Sequence, residues 1–237
     1  EKGLGVNNSG TWSAEDNLIL DWNGDLKNSG TIYSKGNTDL RASRLENDKT
    51  IAAGKDITIS ADGHVTNTGT VGAGINEIGK LTETGTLEIQ SRRVDNRQGN
   101  LLAGNRLGIF SGSLSNVKGQ ISGYGTFHTA AEEIDNTDGK ISFIGDVSIK
   151  AKDMANDKGR LTTESSLFLR GNTVTNGKGT IIAGGDASLY GTSLNNTEGN
   201  IITGKDMELV LPWIRNREGT LSAKGSMKMA AEKELDN

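Results

Sequence analysis

The chain contains no cysteine, which excludes a disulfide framework and a thiolate-bound metal. Its one proline is Pro212, and its only histidines are His64 and His128. Aromatic residues make up 4% and hydrophobic residues 33% of 237 positions, sparse for a conventional globule of this length. No apolar run approaches the ~20 residues of a membrane-spanning helix. The net charge of −4 is mild and its signs are interspersed, so no basic stripe is laid out for nucleic acid. Neither a signal peptide nor an initiator methionine opens the chain. A cysteine-free chain suits the cytosol; it equally suits export in an unfolded state, where a disulfide would obstruct passage.

What the chain has instead is glycine, 33 residues of it, and a period. Asn96, Asn116, Asn136, Asn156, Asn176, Asn196 and Asn216 stand 20 residues apart. An apolar residue lies two positions before each, from Val94 to Ile214. A glycine lies three after, from Gly99 to Gly219, and Leu or Ile five after, from Leu101 to Leu221. A looser copy precedes it at Asn8, Asn28, Asn47 and Asn67, with spacings of 20, 19 and 20. There the asparagine–glycine gap is one residue shorter, and Lys49 replaces the glycine of the third copy. The gap from Asn67 to Asn96 is 29, which places an insertion near Gly74–Gly85. The whole of 1–237 reads as one continuous repeat array, cut mid-coil at both ends from a longer one.

Within each unit the apolar positions alternate. In one copy Ile181 and Ala183, then Ala187, Leu189 and Gly191, then Leu194 and Asn196 share a face. Gly184–Asp186, Thr192–Ser193 and Thr197–Gly199 fall where turns are needed. Each unit therefore reads as three short strands, and a helical period is absent. One unit cannot bury its apolar face alone. Stacked in register, about eleven units give an all-β, right-handed parallel β-helix roughly 55 Å long at ~4.8 Å per coil. The Asn96–Asn216 column shares parity with its apolar neighbour and so points inward, where stacked amides satisfy one another. The following glycine is expected to take a positive φ. A leucine-rich repeat shares the period, but it needs a run of leucines that this unit does not have.

The unit reads Leu-x-Asn-x-x-Gly-x-Ile-x-Ala-Gly-x-Asp, followed by an alternating apolar strand; its clearest copies are 174–189, 194–209 and 214–231. It resembles the haemagglutinin repeats of filamentous-haemagglutinin-like exoproteins of Gram-negative bacteria, a group that includes adhesins and contact-dependent growth-inhibition proteins. The resemblance implies a secreted, cell-surface virulence filament, monomeric and non-enzymatic. It implies two-partner secretion through an outer-membrane β-barrel transporter, and a receptor on a target or host cell. The family's Asn-Pro-Asn-Gly secretion signature and its Val-Glu-Asn-Asn pretoxin motif are both absent, so the expected part is shaft, presenting adhesive or toxin-delivery parts carried elsewhere.

The competing reading is a β-helical polysaccharide lyase or hydrolase, which needs clustered acidic and basic groups on one face. The regular acidic positions are Asp56, Asp146, Asp186 and Asp206, each before a second strand, where capping of an Asx turn is expected. His64 and His128 lie several coils apart, so no shared metal site or cofactor is expected. No nucleophile elbow or phosphate loop is present. No regular outward threonine column of the ice-binding kind is apparent. One outer feature stands apart: Phe168, Tyr190 and Val210 occupy outward second-strand slots that are mostly polar elsewhere, as at Ser148, Lys150, Glu208 and Lys228, and Pro212 and Trp213 follow at the adjoining turn. Stacking is expected to gather Phe168, Tyr190, Val210 and Trp213 into a partner-contact patch.

Overall fold

A computed structural model describes residues 5–237; residues 1–4 of the expected β-helix lie outside it. The described residues form a parallel β-solenoid with no helix. An 11-stranded sheet takes the first strand of every coil, from Thr11–Ala14 to Thr220–Ala223. A 16-stranded sheet takes the remainder. Register follows the period: Ile121 faces Ile141, Ile141 faces Leu161, and Leu161 faces Ile181.

The buried columns explain why a chain with so little apolar residue folds. Ile32, Ile51, Val71, Leu101, Ile121, Ile141, Leu161, Ile181 and Ile201 run in one line, almost wholly buried. Each such side chain contributes roughly 1.5–3 kcal/mol, and every coil reuses the wall built by its neighbour. Size changes are compensated locally. Phe143 occupies a position held by alanine in many coils, and it stacks on Phe127 with centroids 5.1 Å apart and planes 7° apart. The facing residue one coil back is Gly123, whose Cβ would lie 2.8 Å from the Phe143 ring.

The three-strand unit holds at both ends of the rod, as in Thr11–Ala14, Leu18–Asp21 and Asp25–Asn28. Between Ile57 and Asn195 the second and third strands are continuous, as in Ala187–Asn195. Thr192–Ser193 is therefore a bend inside one strand and not a break. The inward face shifts parity there, from Leu189 to Leu194, both buried. The hydrogen-bonded ladder to the adjacent coil carries the backbone round the corner.

Glycine's role at the asparagine turn is steric, a correction to the expected positive φ. The left-handed residue is the one before it: Gln98, Lys118, Asp138, Lys158, Lys178, Glu198 and Glu218 have φ of 53–61°. Gly119 itself donates its N–H to the Asn116 carbonyl at 3.0 Å, closing a four-residue turn. Its missing side chain is what the packing requires, because a Cβ would lie 2.1 Å from the Asn96 carbonyl oxygen of the preceding coil. The shorter turns at Asn8, Asn28 and Asn67 lack a left-handed residue, and those at Asn28 and Asn67 keep the crowding; a Cβ on Gly69 would meet the Lys49 carbonyl at 2.0 Å.

The extra residues lie between Ala73, which pairs with Ala103, and Leu87, which pairs with Ile57. Within them Ile75 and Leu81 form an antiparallel bridge. The Asn76 side chain accepts N–H bonds from Ile78 and Lys80 at 3.2 and 2.9 Å, and the positive-φ glycines Gly74, Gly79 and Gly85 turn the chain. The strands on either side pair as if the insertion were absent.

Candidate functional site

The asparagines form one buried column. Asn96 Nδ2 donates to Asn116 Oδ1 at 2.7 Å, and the same bond repeats through Asn136, Asn156, Asn176, Asn196 and Asn216 at 2.6–2.7 Å. It extends back through Asn67, Asn47 and Asn28 to Asn8, and forward to Asn237. The 29-residue step from Asn67 to Asn96 keeps the same 2.7 Å bond. Each amide from Asn8 to Asn196 also donates to a backbone carbonyl of the next coil, such as Gln120 for Asn96, at 3.1 Å. All the amide dipoles point the same way along the rod, so each bond polarises the next. The column is saturated internally and offers no group to a ligand.

The acidic positions do something other than cap their own turn. Asp186 Oδ1 accepts the backbone N–H of Asp206 at 3.0 Å, and Asp206 Oδ1 accepts that of Ser226 at 2.7 Å. Asp146 and Asp56 do the same for Ser166 and Thr86, and Asn17 and Asn37 begin the series. Each side chain staples its coil to the next. Hydrogen bonds from the Ser165 hydroxyl and the Ser166 N–H hold the Asp146 carboxyl below the ordinary carboxylate value. Among the described residues no group of three or more His, Asp or Glu side chains converges as metal ligands do.

A threonine column does exist, contrary to expectation: Thr11, Thr31, Thr50 and Thr70 stand in register on the outer face of the first sheet. The 19-residue third coil hid it from a fixed-period reading. Its neighbours Ser13, Tyr33, Ala52 and Gly72 differ in size, so no flat double column results.

The outer face of the 16-stranded sheet carries the densest chemistry. Phe168 and Tyr190 meet with ring centroids 5.7 Å apart at 40°. Val210 stands beside Tyr190 in register. All three line a furrow of about 1000 Å³ along the bend between the second and third strands. Trp213 does not join them. It lies past the Leu211–Pro212 turn, over a separate shallow hollow with Leu194 and Glu234, and the Lys233 ammonium sits 5.7 Å from its ring centre. The Tyr190 hydroxyl donates to Glu208, which Lys228 also holds at 2.7 Å. The Lys228 contact first, and the tyrosine second, keep the Glu208 carboxyl below its ordinary value; the bond to Glu208 raises the tyrosine. Half-buried His128 packs on Phe110 at 5.7 Å. Burial, and then the Lys150 and Arg106 charges, push its pKa below 6.5.

The furrow's cations, Lys150 and Arg170, and its floor of Ala131, Ala151, Gly171 and Gly191 escaped the sequence reading as site residues. The signal was available as a 20-residue column of small residues behind a bend that was read as a turn.

The solenoid, its amide column and its outward furrow define a repeat shaft, and comparison with known families agrees. The haemagglutinin repeat model matches residues 2–69, 70–153, 120–189, 144–210 and 186–232. The chain belongs to the haemagglutinin repeat family, whose members are β-helical, adhesin-type and associated with secreted surface proteins. No curated protein and no solved structure matches it.

Proposed function

We propose that this chain is a non-enzymatic shaft segment of a secreted bacterial surface exoprotein of the adhesin or contact-dependent growth-inhibition type. The observation that carries the reading is the unbroken amide column from Asn8 to Asn237, which ties every described coil to its neighbour. Such a device specifies a stiff rod whose job is to hold other parts away from the cell. The family supports export by an outer-membrane β-barrel partner. The lack of cysteine suits passage through that barrel unfolded, with folding outside. The array acts as one continuous body, with the residues near Gly74–Gly85 as a side structure. The lyase or hydrolase alternative draws nothing from the acidic column, because Asp56, Asp146, Asp186 and Asp206 are each engaged by backbone N–H of the following coil.

The test is surface exposure in the producing bacterium. With an epitope placed at the exposed Ile78, intact cells carrying the partner transporter should bind antibody and lose the epitope to added protease. Cells lacking the transporter should do neither. Equal surface exposure without the transporter would contradict the secretion route, and a cytoplasmic epitope in both would contradict the shaft reading.

A further inference from the structure

The furrow beside Phe168 has features that the shaft does not need. Lys150 and Arg170 are in-register neighbours on adjacent coils, about 4.8 Å apart, and both are exposed. Neither makes an ion pair or side-chain hydrogen bond among the described residues, as is also true of the in-register pair Lys140 and Arg160 on the 11-stranded sheet; what sets the furrow's pair apart is the aromatic column it continues into. Like charges placed directly opposite across a strand pair oppose folding, so this pair is a cost that an external anion would relieve. The same column continues into Tyr190 and Val210, with Phe168 against the tyrosine ring. The opposite rim carries the exposed polar groups Asn172 and Thr192. Between the two rims the floor is flat because its residues are small. A Cβ at Gly191 would lie 1.7 Å from the Gly171 carbonyl, so glycine is required there. At one end the column passes from Lys150 to Ala130, and at the other the Tyr190–Glu208–Lys228 chain closes it.

The furrow lies inside the 16-stranded sheet, where these strands are hydrogen-bonded on both sides. No free edge exists to adopt an acidic peptide as an added strand. A sugar chain needs no such edge. Its ring C–H faces stack on aromatic side chains, its hydroxyls bond amides and hydroxyls, and its carboxylates pair with cations. The one-coil interval between Lys150 and Arg170 is close to the rise of one residue in an extended 1,4-linked glycan. Successive sugars of such a chain turn their carboxylates to different sides, so the two adjacent cations hold one inward-facing carboxylate between them, with the arginine fork taking it in bidentate fashion.

We propose that the furrow bounded by Lys150, Arg170, Phe168 and Tyr190 binds a linear polyuronate, a glycan bearing a carboxylate on each residue, aligned with the rod axis. The proposal goes beyond the shaft reading and does not depend on it, since binding is read on the purified protein and surface display in the cell.

Titration calorimetry with oligogalacturonate is the test. Wild type should bind it and leave the oligomer uncut. The Lys150→Gln/Arg170→Gln double variant should bind roughly tenfold or more weakly with an unchanged or raised melting temperature. Phe168→Ala should weaken binding while leaving its salt dependence intact, and the double variant should flatten that dependence. The methyl-esterified oligomer, which keeps the ring and loses the charge, should not bind. No binding by wild type, equal binding by the folded double variant, or equal binding of heparin or polyglutamate would each overturn the proposal.

Discussion

A Cβ placed on Gly139 would stand 2.1 Å from the carbonyl oxygen of Asn116, one coil back. The same crowding recurs at Gly119, Gly159, Gly179, Gly199 and Gly219, at 2.0–2.2 Å from an asparagine carbonyl. The amide column and the glycine column are thus one device. The asparagine turn packs so tightly on the preceding coil that no side chain fits where it closes. Gly139→Ala should therefore destabilise by about 3 kcal/mol or more, since the obstacle is backbone. Chemical denaturation measures it, and a loss under about 0.5 kcal/mol would show that the turn has room.

The residue before that glycine behaves in the opposite way. Lys158 holds φ at 55°, a conformation that glycine adopts without penalty. Lys158→Gly should raise stability by about 0.5–1 kcal/mol, one of the few sites in a β-solenoid where glycine is expected to help. A lowered denaturation midpoint would show that the lysine side chain matters more than its backbone strain.

Much of this was legible in the sequence, and the misses have physical causes. The 20-residue asparagine spacing and the alternation through Ile181, Ala183, Ala187 and Leu189 led to a parallel β-solenoid. The inward place of Asn96–Asn216 followed from parity with the apolar residue two before. Parity says which face a residue takes and says nothing about close approach between coils. That is why the glycine was assigned a dihedral role when its role is steric. Thr192–Ser193 resembled a turn because small polar residues occur in both turns and bends, and only the ladder to the adjacent coil distinguishes them. Trp213 follows Val210 closely in sequence, yet Leu211 and Pro212 carry it onto a different strand, away from Phe168 and Tyr190. Lys150 and Arg170 were hidden because, one at a time, each is an ordinary exposed cation; stacking makes them a pair.

The pH dependence should report His128. Its folded pKa is below 6.5, so the unfolded chain takes up the proton first as pH falls. Stability is full above about pH 7 and declines as pH drops through 6.5 toward the folded value. His128→Gln should flatten the melting temperature between about pH 7 and pH 5.5 relative to wild type. An unchanged slope would place the titration elsewhere.

Asp206→Ala should cost about 1 kcal/mol, from loss of the bond to the Ser226 N–H. It should change no catalytic rate, because incubation of polyuronate or neutral glycan with the wild type, with or without calcium, should yield no new chain ends. Turnover abolished by Asp186→Ala or Asp206→Ala would promote the enzyme reading.

The central claim is that a continuous amide column makes the chain a single stiff shaft, and Asn156→Leu tests it most directly. The substitution strips a partner from the Asn136 Nδ2 and from the Asn176 Oδ1, both fully buried, and should cost about 1–3 kcal/mol. Amide hydrogen exchange read coil by coil should show lost protection spreading in both directions from Asn156, to the turns at Asn136 and Asn176 and beyond. Protection unchanged outside the mutated coil, with full stability retained, would contradict the account.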